Sequence, residues 1–111
     1  MGLFNFGSKE AIKTSAYKIS VGLKQIEQEL EKNNQQVTPM AKGIAWSLRD
    51  EAKNIEKYLK PNGRTDWDLY NSINVKIHSG ETIDFCTFEA RVNNMSQFLE
   101  EKGVVSFRIW T

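Results

Sequence analysis

Ile12, Ala16, Ile19, Leu23, Ile26 and Leu30 recur along the chain at alternating steps of four and three, and Ala41, Ala45, Leu48, Ala52, Ile55 and Leu59 repeat the rhythm. Such steps return side chains to one side of a helix, so each segment predicts a helix with a narrow apolar seam. The polar run Asn33 to Gln36 joins the two, which predicts an antiparallel helical hairpin. In that register Leu30 and Ile26 face the small Ala41 and Ala45 near the loop, and Ile12 meets Leu59. Ser8 is the expected cap of the first helix, with Glu10 in its positive first turn and an end near Lys32. Thr38 and Pro39 suit the cap and first position of the second, which must stop near Leu59 ahead of Pro61-Asn62-Gly63.

Beyond this turn, Thr65-Asp66-Trp67-Asp68 has the spacing of a capping box and predicts a short helix over 66–72. The period then changes to two. Ile73, Val75 and Ile77 alternate with polar residues, His78-Ser79-Gly80-Glu81 is turn-like, and Ile83 to Val92 is rich in β-formers, with Cys86, Phe88, Ala90 and Val92 on one side. These segments predict a β-hairpin. Asn93 or Asn94 caps a short helix over 94–102 that Gly103 ends, and Val104 to Trp110 reads as a last strand. The expectation is one α+β domain over 1–111, in the order ααα-ββαβ. Its helical hairpin packs on a small, mainly antiparallel three-stranded sheet.

At 111 residues, with 40% hydrophobic and 26% charged positions, the chain has the composition of a globular domain with one core. No apolar run approaches the roughly 18 residues of a membrane span. The opening Met-Gly-Leu-Phe-Asn-Phe puts Phe6 where a myristoylation signal needs Ser or Thr, and Leu3, Phe4 and Phe6 are expected to fold back on the core. A lone Cys86 and the lack of a leader-like segment point to a reducing cytoplasm. Eleven Lys against four Arg, with frequent Asn, suggest an AT-rich bacterial or phage genome.

The net charge of +1 conceals an uneven distribution. Residues 39–64 hold six basic and three acidic side chains, and residues 65–111 hold four and seven. On the second helix Lys42, Trp46, Arg49, Lys53, Lys57 and Lys60 fall within an arc of about 80°, away from the seam. With Arg64 they form a candidate contact row for nucleic acid, phosphates relieving the repulsion and Trp46 stacking on a base. The competing reading is a solvated face partly neutralised by Asp50 and Glu56, with Trp46 covered by the C-terminal sheet.

Catalytic and metal chemistry find little support. His78, Glu81, Asp84 and Cys86 cluster near the expected turn, but His78 is the only imidazole, and a zinc site needs further ligands. Cys86 shares parity with Phe88 and Val92 and is expected to be buried, and capping accounts for Asp66 and Asp68. No phosphate-binding glycine loop is present. The expectation is a protein without catalytic residues, metal or cofactor, and no small-molecule substrate is indicated.

Tyr17, Val21, Tyr58, Ile83 and Phe85 stand off the expected core faces and are the candidate protein interface. The leading expectation is a non-catalytic interaction module, a regulator or inhibitor that occludes a surface of another protein or pairs with a second copy of itself. Nucleic-acid backbone binding through the basic row is the alternative.

Overall fold

A computed structural model describes residues 2–77 and 79–110, without the side chains of residues 2–6. Helix α1 (Gly2–Lys32) and helix α2 (Pro39–Leu59) form the expected hairpin. All twelve seam residues are buried, none more than 4% exposed. Removing a Leu or Ile side chain of this kind from water contributes about 1.5–3 kcal/mol, so the paired seams stabilise the fold together with the buried Phe85, Phe88 and Phe107. Gly22 packs against Leu48 across the hairpin, where an added Cβ would lie 2.5 Å from Leu48 Cδ2. That approach agrees with the register in which Leu23 lies level with Leu48. Ser8 does not cap α1, because the helix begins a turn and a half earlier, at Gly2. The side chains of Leu3, Phe4 and Phe6 lie outside the described residues.

The loop between the helices is held by side chains as well as backbone. Asn33 donates to the Glu29 carbonyl at 2.7 Å, and Thr38 Oγ1 donates to Glu29 Oε1 at 3.2 Å while accepting from the Ala41 amide at 3.2 Å. Thr38 is therefore the cap that the sequence predicts. Ser20, fully buried on α1, has a hydroxyl with no hydrogen-bond partner. An unmatched buried hydroxyl costs about 1–3 kcal/mol, and Ala has the better helix propensity. Ser20→Ala is expected to raise stability by about 1 kcal/mol, read as a higher denaturation midpoint at unchanged slope.

After a 3-10 turn (Pro61–Gly63) come helix α3 (Trp67–Ser72) and strands β1 (Asn74–Lys76) and β2 (Thr82–Asp84). Asp66, rather than Thr65, caps α3 and accepts from the Leu69 amide at 3.0 Å. The strands pair antiparallel, with Val75 opposite Ile83, and Ile73, Val75 and Ile77 are buried as their alternation predicts.

The largest departure begins at Phe85. The expected strand over 83–92 and short helix over 94–102 are replaced by β2 and one continuous helix, α4 (Phe85–Glu101). Asp84 caps it by accepting from the Thr87 amide at 2.9 Å, and Phe85, Phe88, Val92, Ser96 and Leu99 form its buried side. These donors also hold the Asp84 carboxyl below its ordinary pKa, the amide of Thr87 contributing most.

Residues 104–110 form no strand either. Val104, Phe107 and Ile109 are buried, but the Phe107 amide donates to Ser96 Oγ at 2.8 Å and the Ile109 amide to Asn93 Oδ1 at 2.9 Å. Side chains of α4 thus take the place of a neighbouring strand. Among the described residues the fold is four α-helices and one two-stranded antiparallel sheet, in place of the three-stranded sheet expected. No described helix is long and apolar enough to cross a membrane.

Candidate functional site

Helix α2 is fixed along its buried side by the seam and at its start by Thr38, so its opposite side is displayed on a rigid support. Lys42, Lys53, Lys57 and Arg64 are exposed, and Arg49 and Lys60 are half-buried. Trp46 stands among them at 53% exposure, with no sheet over it. The guanidinium of Arg49 lies 5.4 Å from the Trp46 ring centre. Such a contact at an exposed site is worth about 0.5–1 kcal/mol and holds the charge over one face of the ring. Further along, Lys57 lies 5.8 Å from the ring of Tyr58 and Lys60 lies 5.6 Å from that of Trp110.

The described ion pairs join Lys18 to Glu51, Arg91 to Glu27 and Arg108 to Glu100. None of the six cations of the row takes part, so among the described residues no carboxylate oxygen lies within 4.0 Å of any of them. Arg49, Lys53 and Lys57 follow one another at four-residue steps. Like charges so placed destabilise a helix by a few tenths of a kcal/mol per pair, about 0.2–0.5. The row is a strip of positive charge without ion pairs among the described residues, with an indole in it and Asp50 and Glu56 at its borders.

The residues considered for a protein interface are not gathered into one patch. Tyr17 is 50% exposed and lines a shallow groove between α1 and the β-hairpin, with Lys13, Asn74, Lys76 and Thr82. Val21, Tyr58 and Ile83 are half-buried. Phe85 lies in the core at 1% exposure, 5.3 Å from the ring of Tyr70 and 5.6 Å from that of Phe88, because it opens a helix instead of facing out from a strand.

Cys86, expected to be buried, is an exposed free thiol for the same reason. The helix turns it away from Phe88 and Val92. His78 lies outside the described residues. Among those that are described, no three of His, Cys, Asp and Glu converge on a point where a metal could sit.

One polar pair was not legible in the sequence. Tyr70 on α3 donates to Glu89 Oε1 on α4 at 3.1 Å, while Glu89 Oε2 is buried without a partner. Desolvation raises the Glu89 carboxyl above the ordinary range, and the Tyr70 hydrogen bond offsets this in part. Burial first, then the charge of Glu89, raises the Tyr70 hydroxyl strongly. Tyr70 also stacks on Trp110 at 6.1 Å and meets Trp67 edge-on at 5.4 Å, so the pair ties α3, α4 and the C-terminal segment together.

A carboxyl with a raised folded pKa binds its proton more tightly in the folded chain than in the unfolded one. Its ionisation therefore lowers stability as pH rises from about 4.5 through the folded pKa. Glu89→Gln removes this term. Urea unfolding of the variant and the wild type is expected to show a stability difference that shifts in the variant's favour between pH 4 and pH 7.

Compared with protein families, curated proteins and solved structures, the chain shows no match.

Proposed function

We propose that the protein is a non-catalytic binding module whose working surface is the outer row of α2, and that this row holds the phosphate backbone of a nucleic acid. The observation that carries the reading is the row itself. Lys42, Arg49, Lys53, Lys57, Lys60 and Arg64 lack carboxylate partners among the described residues, and Trp46 is exposed in their midst. Phosphates laid along such a row relieve the repulsion between its cations and release condensed counterions, which supplies affinity without a deep pocket. Nearly all of the binding charge is local, since the chain carries only +1 overall.

The test is fluorescence anisotropy of labelled DNA and RNA oligonucleotides titrated with protein at several salt concentrations. Binding whose logarithm falls linearly with the logarithm of salt supports the reading, with a slope of about −0.7 per single-strand phosphate contacted. Absence of binding at low salt refutes it.

A second reading, occlusion of a protein surface, rests on the exposure of Tyr17 beside the groove between α1 and the β-hairpin. In that reading Tyr17 and Val21 anchor another protein or a second copy of the chain, and α2 is solvated surface. Tyr58 and Ile83 are half-buried and do not line that groove, and Phe85 is buried. We place either activity in a reducing cytoplasm, where the exposed Cys86 stays a thiol.

A further inference from the structure

Granting that the α2 row binds phosphates, we infer that its ligand is a single strand, held in an extended form along α2 with one unpaired base stacked on Trp46. The inference rests on that reading and adds the form of the nucleic acid. Three features of the row carry it.

The first is its width. A helix seated in the major groove of a duplex lies between two phosphate rows and needs favourable charge on both of its flanks. Here the row occupies an arc of about 80°, and its two borders are acidic, with Asp50 on one side and Glu56 on the other. Both carboxylates would meet the groove walls of a duplex, whereas one file of phosphates runs between them.

Spacing is the second. Arg49, Lys53 and Lys57 advance by four residues, about 6 Å per step along the axis. This is close to the advance per nucleotide of an extended single strand, so successive cations address successive phosphates. From Lys42 to Lys60 the track is about 27 Å long. Past α2 the chain adds the exposed Arg64 before Asp66 caps α3.

The third is Trp46. A duplex keeps the faces of its bases stacked on each other, while each base of a single strand offers a π-face to an exposed ring. The indole is 53% exposed within the file of cations; Arg49 lies over one face, 5.4 Å from its centre, and a base would stack on the other.

The experiment compares a labelled single-stranded oligonucleotide, the duplex of the same sequence, and vesicles of phosphatidylserine and phosphatidylcholine as competitor, using the full chain. The single strand is expected to bind at least about tenfold more tightly than the duplex and to resist displacement by vesicles at matched charge. Trp46→Ala is expected to lower single-strand affinity about tenfold or more, and Trp46→Phe to restore most of it. The circular dichroism of both variants should match the wild type, because Trp46 stands outside the buried seam. Equal or tighter binding of the duplex overturns the inference, as does displacement by vesicles or undiminished single-strand binding by Trp46→Ala. If neither form of nucleic acid binds, the phosphate-binding reading itself fails, so the two failures are told apart.

Discussion

Reversing two charges in the middle of the row, Arg49→Glu with Lys53→Glu, is expected to lower nucleic-acid affinity about a hundredfold or more at low salt. Each substitution removes a phosphate contact and places a carboxylate in the path of the strand. The salt slope flattens as well, because fewer counterions are released on binding. The fold is expected to be retained with a small loss of stability, because the two introduced carboxylates stand four residues apart and the contact of Arg49 with the Trp46 ring is lost. The carboxylate that Lys53→Glu introduces would lie four residues before Lys57, a favourable orientation on a helix, which offsets part of that loss. Neither native side chain forms an ion pair among the described residues that the change would break. Anisotropy titration beside thermal unfolding reads both effects. A variant that binds like the wild type would reduce the row to solvated surface.

The second large effect lies in the seam. A side chain at Gly22 must displace the end of Leu48, since an added Cβ would stand 2.5 Å from Leu48 Cδ2 and 3.1 Å from Leu48 Cγ. Leu48 is itself buried and cannot swing into solvent. Gly22→Val is expected to destabilise by about 1–3 kcal/mol through overpacking, despite the poor helix propensity of glycine. Leu48→Ala alone is expected to cost about 2–5 kcal/mol by leaving a cavity. Together the two substitutions exchange a knob for a hole across the same contact. The double variant is therefore expected to be more stable than the sum of the single losses, by about 1 kcal/mol or more. Urea unfolding of the four proteins closes the cycle. Strict additivity would mean that the helices do not meet at this point.

The seam was legible because a step pattern of four and three over two segments has one structural solution, and Thr38 and Pro39 mark the start of α2 without ambiguity. The basic row was legible for the same reason, since it lies on the helix with the clearest phase. Helix α4 was obscured by its composition. Phe85, Cys86, Thr87, Phe88 and Val92 are strong β-formers, and alternate residues among them mimic a strand, but α4's own buried set, Phe85, Phe88, Val92, Ser96 and Leu99, keeps helical spacing. With Asp84 as cap and Thr87 as its partner, that spacing was the signal available. The C-terminal segment had no such signal. Val104, Phe107 and Ile109 read as a strand, and nothing local reveals that Ser96 and Asn93 satisfy its amides from a helix. The Tyr70 to Glu89 bond and the approach of Lys60 to Trp110 are likewise products of packing between distant segments.

The proposed role of the α2 row as a binding surface is tested most directly by nuclear magnetic resonance. The amide and indole signals of the labelled protein are followed as a short single-stranded oligonucleotide is added at low salt. Shifts concentrated on Lys42, Arg49, Lys53, Lys57 and the Trp46 indole, with α1 and the β-hairpin unmoved, are the expected result. Shifts centred on Tyr17, Val21 and β1, or no shifts at all, would contradict it.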